Sequence, residues 1–139
     1  MDVNDFEFMW GMRSKQVQPR GIRQFKSGMV GIAKGQTARL NVVNTAEAGD
    51  LPFVTVYCGF TQNPRSEPLV NCTAKLEPGA SEFLDLNRDT IAGHGETRLQ
   101  IRAEVTVIND LTSACVITLE VFDSESGKST VSMQVPEAR

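Results

Sequence analysis

Residues 98–107, Arg-Leu-Gln-Ile-Arg-Ala-Glu-Val-Thr-Val, alternate without a break between polar and apolar side chains. Period two is the signature of a strand with one face buried and one in water. The same period recurs in Ala38/Leu40/Val42, Val54/Val56/Cys58/Phe60, Cys115/Ile117/Leu119/Val121 and Val131/Met133/Val135. The chain therefore reads as a series of short antiparallel strands, each burying one face.

Turn-forming clusters separate these stretches at Gly35-Gln36, residues 44–52, 62–68, 77–79, 87–96, 109–113 and 123–128. Eight strands fit between them, over residues 29–34, 37–44, 53–60, 69–76, 81–86, 97–108, 114–122 and 129–135. Evenly spaced short strands, Pro/Gly/Asn turns and no helical periodicity predict an all-β fold. Two packed antiparallel sheets in an immunoglobulin-like sandwich are favoured over a closed barrel.

The chain of 139 residues, 40% apolar, is the size of one domain with one core. No apolar run reaches the ~18 residues of a membrane-spanning helix. Asp2, Asp5 and Glu7 stand where a secretory leader carries positive charge, so the sequence reads as lacking a signal peptide. Residues 1–27 differ in character from the rest and form an N-terminal arm and basic linker; the sandwich is expected over residues 28–139. Residues 13–26 carry Arg13, Lys15, Arg20, Arg23 and Lys26 with no acid, whereas residues 27–139 are net acidic within a total charge of −3. An acidic body repels a polyanion, which argues against a nucleic-acid partner. The basic stretch reads as a solvated linker.

Gly31-Ile32-Ala33-Lys34-Gly35-Gln36-Thr37-Ala38-Arg39-Leu40-Asn41-Val42-Val43-Asn44 has the form strand, Gly-Gln turn, second strand ending in Asn. Leu76-Glu77-Pro78-Gly79-Ala80, Leu84-Asp85-Leu86 and Leu119-Glu120-Val121-Phe122-Asp123 follow. Residues 27–135 thereby resemble immunoglobulin-like β-sandwich domains of bacterial secreted or cell-surface proteins. The resemblance implies an extracellular or cell-surface setting and transfers no catalytic residue.

Cys58 and Cys72 lie symmetrically about residue 65, inside a turn cluster, so a hairpin centred there sets them opposite one another. Both share the inward face of their strands. They form either a cross-strand disulfide or two buried thiols. Cys115 has no partner by spacing and reads as core packing.

Nothing in the sequence assembles a catalytic or cofactor site. His94 is the single histidine and sits in the loop Ile91-Ala92-Gly93-His94-Gly95, where a solvent-exposed turn residue is expected. The cysteines lack the close pair spacing of structural zinc. Asp123-Ser124-Glu125-Ser126-Gly127 holds oxygen ligands suited to calcium, but it reads better as a hairpin turn with Gly127 at positive φ. Asp85 and Asp89 read as strand-end and turn residues rather than an acid/base pair. Asn71-Cys72-Thr73 matches the glycosylation pattern from within a strand. No enzyme, metal or cofactor is expected.

One segment stands out. Phe6, Phe8, Trp10 and Met12 fall at i, i+2, i+4 and i+6, so in extended form they present four large apolar groups on one face. Such a face either folds back as an edge strand of its own sandwich or adds to the sheet edge of another copy. The expected function is a noncatalytic structural or adhesion-type module that self-assembles through this arm, and head-to-tail exchange of that kind builds filaments. The alternative is a small-ligand or glycan-binding module that uses the loops between strands.

Overall fold

The computed structural model describes residues 21–47, 53–62, 68–95, 97–110 and 114–138. They form nine strands: β1 (Arg23–Lys26), β2 (Val30–Ile32), β3 (Gln36–Asn44), β4 (Val54–Gln62), β5 (Pro68–Leu76), β6 (Ser81–Asn87), β7 (Leu99–Ile108), β8 (Cys115–Asp123) and β9 (Ser129–Gln134). The eight strands expected from alternation are present, with ends within two residues of those expected.

Two antiparallel sheets face each other. Sheet A has the order β1-β7-β4-β5, with β2 also paired to β7; sheet B has the order β6-β3-β8-β9. The inward rows are the ones that period two selects: Ala38, Leu40 and Val42 on β3, Val54, Val56 and Phe60 on β4, Ile101, Ala103, Val105 and Val107 on β7, Ile117, Leu119 and Val121 on β8. All are almost fully buried, and each larger one contributes about 1.5–3 kcal/mol on burial.

The all-β, two-layer class is as expected, and the structure adds its connectivity. Antiparallel pairs nest as β4–β5, β3–β6 and β2–β7, and winding that nested ribbon brings β7 beside β4 and β8 beside β3. The connections β2→β3, β3→β4, β5→β6, β6→β7 and β7→β8 all pass from one sheet to the other. That is a jelly-roll order, whereas immunoglobulin strands are distributed ABED and CFG. Periodicity identifies strands but does not choose their distant partners.

The sandwich also begins earlier than residue 28. Arg23–Lys26 forms β1, in register with Val107 to Glu104 of β7. Its one buried apolar side chain, Phe25, gives no alternation to read, and pairing with β7 overrides that weak local signal. Between β1 and β2 the Ser27 hydroxyl accepts a hydrogen bond from the Ala103 N–H at 2.8 Å, while the Ser27 N–H donates to the Ala103 carbonyl at 3.0 Å.

The chain's last residues close the same edge. After β9, Val135 enters the core, and its N–H donates to the Ile117 carbonyl at 2.8 Å. The chain then crosses to sheet A: the Lys26 N–H donates to the Pro136 carbonyl, and the Ala138 N–H donates to the Gln24 carbonyl. Arg23 donates from Nε and Nη2 to Glu137, at 3.1 and 2.7 Å, and from Nη1 to Asp110 at 2.9 Å. Arg23 was expected in a solvated basic linker; it is a structural cation instead, because two carboxylates converge on it. Those partners raise its pKa above the usual guanidinium value, the Glu137 hydrogen bond most of all.

Two polar residues tie loops to the body. Asn44, fully buried, donates from Nδ2 to the Leu76 carbonyl at 3.0 Å, and its backbone pairs with the Glu77–Ala80 turn, where Gly79 takes φ 84°. Arg88 is 1% exposed, in a single 3-10 turn after β6, and its guanidinium donates to the carbonyls of Thr97 and Gly95. It thereby holds the loop that leads to β7.

Candidate functional site

Phe6, Phe8, Trp10 and Met12 lie outside the described residues. The edges such an arm would meet do not. On the β1 side of sheet A the outer edge is occupied by the chain's own residues 136–138. On the other side, among the described residues, β5 pairs with β4 alone, so its outer edge has no strand partner among them. The inner row of β5 is incompletely covered as well: Val70, Cys72 and Ala74 are half-buried, whereas their register partners Phe60, Cys58 and Val56 are buried. Pro68 and Lys75 stand at the two ends of this strand, residue types that limit indiscriminate edge pairing.

Cys58 and Cys72 are direct register partners, as the symmetric spacing predicts. Both are thiols in this structure. Burial pushes both thiols up from the ordinary cysteine value. Cys115 lies on β8 in the other sheet, paired across from Asn44, with its thiol pushed up to about 12, chiefly by burial. The three sulfurs therefore do not converge, and no group of metal-ligating side chains exists among the described residues.

The remaining polar residues singled out in the sequence serve local structure. His94 is half-buried rather than open to solvent, with Nε2 3.3 Å from the Gln62 Nε2, because the loop folds back over the end of β4. Asp85 accepts a bidentate pair from Arg39 at 2.7 and 2.8 Å, and Asp89 accepts from the Gly35 N–H at 3.0 Å. Asp123 accepts from the N–H groups of Glu125 and Ser126 in the β8–β9 turn, with Gly127 at φ 75°. Those N–H donors, Ser126 first, hold its carboxyl below the usual range. Asn71 stands on the exposed face of β5, inside the strand. No helix among the described residues is long and apolar enough to cross a membrane.

One feature of the outer surface of sheet A gave no signal in the sequence. On β4 the outward residues include Tyr57, Gly59 and Thr61; Asn71 of β5 and Glu104 of β7 are the two register neighbours of Gly59, and Thr73 of β5 and Thr106 of β7 are those of Tyr57. A missing side chain at Gly59 between larger neighbours leaves a depression of about 170 Å³, whose rim includes Pro68 and Thr61. Sequence reasoning assigns Gly59 no role because a glycine interrupts alternation, and the neighbours that make it a floor come from two other strands.

No family model and no curated protein matches this chain. Among solved structures, the crystal structure of Thermotoga maritima 1070 is similar over 84% of this chain and 94% of its own, at 19% sequence identity and a TM-score of 0.49.

Proposed function

We propose that the protein is a noncatalytic structural or adhesion-type β-sandwich that assembles with copies of itself by strand addition. The observation that carries this reading is the asymmetry of sheet A: one edge is capped by residues 136–138 of the same chain, while β5, among the described residues, pairs with β4 alone and has a half-covered inner row. An added strand supplies backbone hydrogen bonds to that edge, and its inward side chains extend the row Val70, Cys72, Ala74. Phe6, Phe8, Trp10 and Met12 have the matching period and the apolar bulk. Because β1 begins at Arg23, ten residues connect Met12 to the sandwich, and they span at most about 35 Å when extended. That reach suffices for the β5 edge of a neighbour, and repeated head-to-tail addition builds an open chain of subunits.

An extracellular or cell-surface setting belongs to the same reading. The opposed Cys58 and Cys72 offer a bridge that closes in an oxidising compartment.

Light scattering on the full chain and on residues 13–139, each at two concentrations, tests the proposal. The full chain is expected to form species that grow with concentration, and the shortened chain to remain monomeric; a peptide of residues 1–12 added in excess is expected to dissolve the assemblies. Equal masses for the two chains would overturn it.

A further inference from the structure

We infer that arm residues 6–12 join β5 of a neighbouring copy as an antiparallel strand, in the register that sets Glu7 opposite Lys75 and Trp10 opposite Cys72. The inference rests on the assembly proposed above and adds to it an orientation, a register and the residues that specify both.

The receiving ladder has a defined length. Between Phe60 and Thr61 the β4–β5 register shifts, which leaves Leu69 as a bulge and Val70–Leu76 as the regular part of β5. Those seven residues carry four side chains on the inner face, at positions 70, 72, 74 and 76. Arm residues 6–12 are also seven, with large apolar side chains at positions 6, 8, 10 and 12. Matching the two sets row for row leaves one antiparallel and one parallel register, because a slip of one residue would turn the apolar row to the outer face.

Charge separates the two. Lys75 is the single charged residue of β5, on its outer face, with its Nζ 5.1 Å from the centre of the neutral Phe53 ring. In the antiparallel register Glu7 stands opposite Lys75, and Asp5 is its diagonal neighbour. In the parallel register Gly11 stands opposite Lys75 and Arg13 takes the diagonal place, so a cation approaches a cation. Glu77, the next charge along the chain, already belongs to the turn toward β6 and lies beyond the ladder. Opposite charges across a ladder stabilise it and like charges destabilise it. Antiparallel pairing is also slightly the stronger form, and every strand pair among the described residues uses it.

The inner face favours the same orientation. Glu82 of β6 lies on the inward side with its register partner Val42, and its charge acts on the Cys72 thiol from across the mouth between the sheets. The antiparallel register brings Trp10 beside Cys72, where the indole N–H, a donor only, has the Glu82 carboxylate as an acceptor in the same mouth. The parallel register places Phe8 there instead, which offers that carboxylate no donor.

Cross-linking of full-length chains tests the orientation. A Lys75→Cys chain is mixed with a Glu7→Cys chain or with a Gly11→Cys chain and oxidised with a small-molecule disulfide, and peptide mapping reads the positions joined. Because the two new cysteines sit on separate chains, a bond between them forms only between copies. The bond joining positions 7 and 75 is expected, with the bond joining 11 and 75 at most a minor product. Light scattering reads the charge pair: Lys75→Glu and Glu7→Lys are each expected to raise the concentration needed for assembly about tenfold, and both reversals in one chain to restore most of it. A predominant bond between 11 and 75, or reversals that add instead of cancelling, overturns the inference while growth of the parent with concentration leaves the assembly reading standing. Absence of both bonds from a parent that does assemble also overturns the inference, since the arm then docks elsewhere. Absence of both bonds with a parent mass that stays constant overturns the assembly reading itself.

Discussion

Cys58 on β4 and Cys72 on β5 face each other as direct register partners, both as free thiols. Treatment with a small-molecule disulfide transfers the two thiol hydrogens to that oxidant and closes a bridge between them. The closed loop of about 15 residues stabilises the fold by about 3 kcal/mol in the chain-entropy picture. Peptide mapping is expected to find Cys58 joined to Cys72 and Cys115 still reduced. A raised urea midpoint that returns on reduction completes the check; a linkage through Cys115 contradicts the register.

Stability should fall in alkali. The buried thiols keep their protons to higher pH in the folded protein than in the unfolded chain, where a cysteine ionises near 8.5–9. Above that value the unfolded state binds fewer protons, so folding stability drops as pH rises, by about 1.4 kcal/mol per pH unit for each such thiol. The benefit is fully present below pH 8.5. For Cys115 the decline continues towards pH 12, where the folded thiol itself ionises. Urea unfolding of the parent and of Cys115→Ala across pH 7–10 is expected to show a shallower alkaline slope in the variant.

Arg23→Ala should destabilise by about 2–4 kcal/mol. The Asp110 side chain is fully buried, and Arg23 neutralises it at 2.9 Å, so removing the cation strands a buried carboxylate. Arg23 also links Glu137 to β1, and its loss frees the crossing strand at the chain's end. Faster hydrogen exchange at Lys26 and Ala138, whose N–H groups make the crossing hydrogen bonds, is the accompanying sign.

Arg39 on the outer face of sheet B grips Asp85 with two hydrogen bonds and lies 4.2 Å from the Phe83 ring centre and 5.2 Å from that of Phe122. Phe83 is left 53% exposed, with the guanidinium over its ring. Both charged groups are about one-third exposed, which limits the pair itself to about 1 kcal/mol or less. Stacking adds about 0.5–1 kcal/mol. Arg39→Lys should therefore lose about 1 kcal/mol in urea unfolding, since an ammonium can neither fork onto a carboxylate nor lie flat on a ring.

The legible parts of the fold share a cause. Leu99 to Ile108 alternates so regularly that one face had to be buried, and the Asp123 turn carries its own instructions in an Asx side chain and a glycine at positive φ. The Cys58–Cys72 register was legible because the turn centre lies midway between them. The Gly59 depression was not, since its walls arrive from β5 and β7, and no spacing along the chain encodes that meeting. Arg23 was misread for a similar reason: its charge is visible in the sequence, but the carboxylates that cancel it are 87 and 114 residues away.

By itself the sequence determined where the strands run, which of their faces turn inward and where the chain can reverse, because alternation and turn chemistry act over a few residues. Only the tertiary structure decided that β8 and β9 share a sheet with β3, that residues 136–138 seal the β1 edge while β5, among the described residues, pairs with β4 alone, and that Gly59 lies between Asn71 and Glu104. Apolar strand faces are nearly interchangeable partners. The choice among them is made by how the whole set packs around one core.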